Sequence, residues 1–182
     1  MDRHEPPRPE FVEQLALQVF TDLHRTIISH ESGSLVGDVD SVHDMRVAVR
    51  RLRVALSNFA VCAAKEERKR LRSHLENLAD ALGGVRDMDV MIAAMKAWSP
   101  TRHSREPDRE RAAVSALIDR LRARRRSRLR ALMNYLSGEE YAGFKRESPS
   151  GWVCRDAKSR VSTMSDSECA QASPEEEHGQ AA

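Results

Sequence analysis

Apolar residues recur along most of this chain at the three- and four-residue spacing of an amphipathic helix, and nowhere do they alternate as in a half-buried strand. Phe11, Leu15, Val19, Phe20, Leu23 and Ile27 share one face, which predicts a helix from about Glu10 to His30. Glu31-Ser-Gly-Ser breaks that pattern, and Gly37 to Asp40 read as more loop. Ser41-Val-His-Asp44 has the form of a capping box, with Ser41 as N-cap, so a second helix is expected from there to about Ala64. A third, from about Glu66 to Leu82, aligns Leu71, Leu75, Leu78, Ala79 and Leu82. It is expected to stop at Gly83-Gly84, because glycine accepts the left-handed conformation of a helix C-terminus. A fourth runs from about Arg86 to Ala97. After a polar loop, Thr101 to Pro107, the last long helix covers about Asp108 to Ser137, and a short one follows from Glu139 to Lys145. The predicted fold class is all-α, an antiparallel helical bundle joined by short loops.

The domain organisation follows from where this periodicity begins and ends. Residues 1–9 read as a disordered N-terminus and 10–147 as the helical domain. Residues 148–182 have no periodic apolar face and read as a disordered or foreign tail, from which Trp152 and Val153 are the candidates to dock on the bundle.

Composition narrows the class. The 182 residues fit one domain, and 40% hydrophobic residues exclude a wholly disordered chain. No run approaches the roughly 18 apolar residues of a spanning helix, and the N-terminus lacks the build of a secretory signal. A soluble, cytoplasmic protein with no membrane partner is expected. Cys62, Cys154 and Cys169 include no Cys-x-x-Cys pair, which argues against a disulfide scaffold or a thiolate zinc site.

The net charge of +2 conceals strong segregation. Residues 1–40 carry 3 basic and 8 acidic side chains, residues 41–100 carry 11 and 7, residues 101–147 carry 13 and 7, and the rest 3 and 6. A basic middle between acidic ends favours an anionic partner.

The second helix concentrates that charge. Its apolar residues, Met45, Ala48, Val49, Leu52, Ala55, Leu56 and Phe59, fill one arc, while His43, Arg46, Arg50, Arg53 and Ser57 form a separate ridge beside it. Arg51 falls on the other flank. From Met45 to Lys65 there is no acidic residue to pair with these cations along the helix. Arginine stands at every cationic position of the ridge itself, as suits forked contacts to phosphate oxygens. Arg72 lies near the leucine stripe of the third helix, and Arg86 follows the double glycine. Asp87 and Asp89 read as caps or as holders of a neighbouring arginine. They point about 160° apart on a helix, so no metal site is expected there. Arg125 and Arg128 sit inside the apolar stripe of the last long helix. A buried unpaired guanidinium is costly, so these two are expected to line a wet crevice or a bound anion.

His43-Asp-Met-Arg-Val-Ala-Val-Arg-Arg-Leu-Arg53, Leu78-Ala-Asp-Ala-Leu-Gly-Gly-Val-Arg-Asp-Met-Asp89 and Ser137-Gly-Glu-Glu-Tyr141 together resemble the CHAD domain, the conserved-histidine α-helical domain, over about residues 10–147. The resemblance implies two similar helical halves around a basic cavity, and a module that binds inorganic polyphosphate without catalysis and gathers at polyphosphate granules. It implies phosphate contacts at His43, Arg46, Arg50, Arg51 and Arg53, with Arg86 in the second motif; Arg72, Arg125 and Arg128 are added from helical geometry. A second histidine/arginine helix is missing: His74, His103 and His178 lack the following cations. The chain therefore corresponds to the first half of the domain. Either a homodimer completes the cavity, or the half-domain is a truncated remnant.

Two other classes compete. Nucleic acid would use the same ridge and the Arg120–Arg130 segment, but aromatic content of 4% offers little for base stacking. Catalysis lacks a glycine-rich phosphate loop, a nucleophile–base pair and clustered carboxylates. No enzyme activity and no cofactor are expected.

Overall fold

The computed structural model describes residues 9–100 and 105–153. Among these residues six helices follow in order: α1 Pro9–Ser29, α2 Glu31–Val36, α3 Val39–Asn58, α4 Lys65–Ala97, α5 Pro107–Leu136 and α6 Glu139–Arg146. Short 3₁₀ turns occupy Ala60–Cys62 and Pro149–Gly151. Among the described residues there is no strand, only an isolated bridge between Ala63 and Val153. The fold is an all-α bundle, as its periodicity predicts.

The core lies where α1, α3, α4 and α5 meet. Phe20 and Ile27 of α1 pack with Met45 and Leu52 of α3, Leu75 and Leu82 of α4, and Leu132 of α5, all fully buried. Tyr141 and Phe144 of α6 close one end. On α1 the buried stripe is Ala16, Phe20, His24 and Ile27, whereas Phe11 is 60% and Leu15 41% exposed, so the start of the expected apolar face lies outside the core. α4 has 33 residues and α5 30, about 50 and 45 Å at 1.5 Å rise per residue, against about 30 Å for α1 and α3. Along the outer stretch of α4 and α5 a second cluster forms from Met88, Ile92 and Leu121.

Four expectations are corrected. The segment after α1 is the short helix α2 rather than a loop, ended by Gly37 at φ 75°, a left-handed conformation that glycine adopts freely. The N-cap of α3 is Asp38, not Ser41: its carboxylate accepts from Ser41 N at 2.8 Å and from Ser41 Oγ at 2.7 Å. These hydrogen bonds hold the Asp38 carboxyl below its usual pKa.

Gly83-Gly84 does not end a helix. α4 continues through the pair, because Leu78, Leu82, Val85, Met88 and Ile92 keep a continuous buried stripe across it.

The packed chain also extends beyond Glu147. Trp152 is 2% exposed, stacked on Phe144 and edge-on to His24, with its Nε1 donating to Glu147 Oε2 at 2.9 Å. The expectations for 1–8 and for 154–182 lie outside the described residues.

Candidate functional site

α3 and α4 run antiparallel, and their side chains fix the register. Arg72 Nη2 donates to Ser57 Oγ at 2.8 Å, Arg53 Nη2 to Glu76 Oε1 at 3.2 Å, and Arg46 lies over Gly83. Three residues beyond Gly83 stands Arg86, and three residues before Arg46 stands His43, so the register sets these two opposite each other. About 100° further round α4, Arg128 of α5 lies along Gly84: a Cβ there would meet Arg128 Cδ at 3.1 Å.

The glycine pair is thus a place where arginines from two helices approach the α4 backbone. At Gly83 a Cβ would meet the Arg46 guanidinium at 3.8 Å. His43, Arg46, Arg50, Arg51, Arg86 and Arg128 therefore do not share one line. By helix register His43, Arg46 and Arg86 fall on the α3 side of the glycine pair, and Arg128 comes to it from α5. Arg50 and Arg51 instead line a groove of about 670 Å³ between α1 and α3, with Val19, Leu23, Val47, Val54 and Phe59.

The cations differ in what they already hold. Among the described residues, Arg46, Arg50, Arg51, Arg86 and Arg128 donate to no protein acceptor and pair with no carboxylate. Arg53 is held by Glu76 and Arg72 by Ser57, partners from the neighbouring helix that the acid-free stretch of α3 from Met45 onward does not announce.

Arg125 departs furthest from expectation. It lines no open crevice: its Nε and Nη2 donate to the Asp89 carboxylate, and Nη2 also donates to Gly37 O at 2.8 Å. Asp89 is thus the holder of a neighbouring arginine. This pair ties α4, α5 and the end of α2 together and leaves Arg125 a positioning residue.

The remaining chemistry-bearing groups are part of the packing. His24 Nε2 lies 3.0 Å from Phe144 O, and His74 is buried against Tyr135, Tyr141 and Phe144. Burial lowers the pKa of His74, against an opposing attraction from Glu140, whose Oε1 is 3.3 Å from Nδ1. Cys62 is a buried free thiol whose pKa burial raises. No group of three or more His, Cys, Asp or Glu among the described residues could hold a metal ion, and no described helix is long and apolar enough to cross a membrane.

Sequence reasoning missed Gly83, Gly84 and Glu76. The signal for the glycines was present, since the apolar spacing from Leu78 to Ile92 never breaks. The partnership of Glu76 with Arg53 depends on helix register, which one strand of sequence does not display.

The fold and this surface define an all-α bundle that presents unpaired arginines from three helices. Residues 18–168 match the family model of the CHAD domain, and the chain belongs to that family. The match starts within α1 and runs past Trp152. No curated protein and no solved structure matches the chain.

Proposed function

We propose that this protein binds inorganic polyphosphate, without catalysis, through the arginines gathered around Gly83 and Gly84. The observation that carries this reading is the set of guanidinium groups with no protein acceptor, Arg46 of α3, Arg86 of α4 and Arg128 of α5, supported by His43. Cations left unpaired next to one another repel, and an anion with many phosphate oxygens relieves that repulsion with forked, charge-assisted hydrogen bonds. Arg50 and Arg51 extend the positive surface toward α1, while Arg53 and Arg72 serve at its edge and exchange Glu76 and Ser57 for phosphate at a cost.

A cytoplasmic location at polyphosphate granules goes with this function, and a second copy completing the cavity is the outcome in which the half-domain works rather than being a truncated remnant. Duplex DNA is the competing ligand, since it too would gain from arginine contacts.

The test is a titration of long-chain polyphosphate into the protein, with light scattering to fix the oligomer and duplex DNA as competitor at equal phosphate concentration. The expected result is tight binding that DNA does not displace. It should weaken about tenfold or more in the double variant Arg46→Glu, Arg128→Glu, with helicity retained. Unchanged binding by that variant would remove the site, and no binding by the unaltered protein would remove the function.

A further inference from the structure

The outward face of α4 carries a row of carboxylates with one gap. Glu76, Asp80 and Asp87 are all exposed on that face, and Asp80 and Asp87 stand seven residues apart, about 10 Å along the axis. Gly83 and Gly84 occupy the turn between them, three and four residues from each aspartate. Glu76 is neutralised by Arg53, whereas Asp80 and Asp87 pair with no cation among the described residues. Cations flank the gap itself. Arg46 reaches it from α3 over Gly83, and Arg128 reaches it from α5 along Gly84.

A polyanion laid lengthwise on α4 would run over Asp80 and Asp87. Laid crosswise, it would pass between them where the Arg46 and Arg128 side chains lie against Gly83 and Gly84, from one arginine to the other. We propose that Gly83 and Gly84 form a crossing point, at which a single-file phosphate chain leaves the α3 ridge at Arg46, traverses α4 between Asp80 and Asp87, and reaches Arg128 on α5. This rests on the polyphosphate reading and adds to it a path and a limit on width. The two glycines are positioning residues: lacking a Cβ, they make room for the two arginine side chains to lie against α4 between the aspartates. The two aspartates act as a fence. A duplex, whose major groove alone is about 12 Å wide, would rest on both carboxylates. The ligand class is therefore a flexible, unpaired chain of phosphates.

The experiment compares long-chain polyphosphate affinity in the unaltered protein, Gly84→Asp, Ser73→Asp and Gly84→Ala, each with helicity measured by circular dichroism. Gly84→Asp closes the row of carboxylates at the crossing. Ser73→Asp adds the same charge at an exposed position of α4 away from it. The expected result is a loss of about tenfold or more for Gly84→Asp and less than about threefold for Ser73→Asp. Equal losses, or no loss at Gly84, overturn the crossing while leaving polyphosphate binding intact. No binding by the unaltered protein overturns the functional reading instead. Gly84→Ala keeps the test decisive should Gly84→Asp fail to fold, because alanine favours the helix and the nearest atoms its Cβ meets are those of Arg128. A few-fold weaker affinity is expected there, and unchanged affinity overturns the positioning role.

Discussion

Arg125 grips Asp89 across the α4–α5 contact with Nε and Nη2, and carries the same Nη2 on to the carbonyl of Gly37. The Asp89 side chain is only 7% exposed, so its charge is compensated almost entirely by that guanidinium. Arg125→Ala is expected to destabilise the fold by about 3 kcal/mol or more, because it strands a buried carboxylate and frees a helix-end carbonyl. Arg128→Ala, one turn further along α5, removes an exposed arginine without a protein partner and should change stability by less than about 0.5 kcal/mol. Thermal or urea unfolding of the two variants separates the roles. Equal stabilities would mean that the Asp89 pair contributes nothing.

Gly37 joins two constraints that no other described glycine meets together. Its φ of 75° is left-handed, and a Cβ there would stand 2.6 Å from Leu129 Cδ2. Gly37→Ala therefore incurs backbone strain as well as displacement of a packed leucine, about 1–3 kcal/mol in all. It should also shift the carbonyl that Arg125 uses. A urea midpoint unchanged by Gly37→Ala would show that the turn relaxes freely.

The glycine pair in α4 shows what a sequence pattern can and cannot say. The leucine stripe and the arginine ridge of α3 were legible because each is a property of one helix at a fixed angular step. The double glycine was misread as a stop because glycine serves two ends, a left-handed cap and a close approach, and the dipeptide alone does not distinguish them, although the unbroken apolar spacing across it does. Gly37 takes the first use and Gly83-Gly84 the second. The Arg53 pair with Glu76 was out of reach for a different reason, and so was which arginine Asp89 holds: both pairs join separate helices, and the partners depend on how those helices are docked. Trp152 was named as a docking residue, but a lone tryptophan carries no period, so its burial with Phe20, His24 and Phe144 became visible only in three dimensions.

The attachment of Trp152 should be acid-sensitive through Glu147. Burial alone would raise that carboxyl, yet hydrogen bonds from Arg70 and from Trp152 Nε1 outweigh it and hold the pKa below the usual value of 4.5. A depressed carboxylate contributes stability that is present above its unfolded pKa and is lost as pH falls through its folded pKa. Stability should therefore hold from neutrality down to the ordinary glutamate range and decline below it. In Glu147→Gln that component of the decline should vanish, with lower stability at pH 7 because Arg70 keeps only Glu67. Intrinsic fluorescence reads the transition, with Trp98→Phe leaving Trp152 as the sole indole. Superimposable acid curves for the two proteins would assign the acid sensitivity elsewhere.

Salt dependence can divide the arginines that contact ligand from those that hold the fold. Binding driven by release of counterions from a polyanion falls linearly on logarithmic axes, and each lost phosphate contact lowers the slope by about 0.7 for a single-stranded polyanion. Arg46→Ala, Arg86→Ala and Arg128→Ala should each weaken polyphosphate binding and reduce that slope by about one contact. Ser-to-Ala change at Ser57 should strengthen binding slightly or leave it unaltered, because it releases Arg72 from an internal acceptor without removing a charge. Arg111→Ala, whose guanidinium is already paired with Asp108 at 2.7 Å, should leave the slope as it is. Should Arg111→Ala lower the slope as much as Arg46→Ala does, the ligand would be responding to the overall positive charge of the protein rather than to the arginines around Gly83 and Gly84.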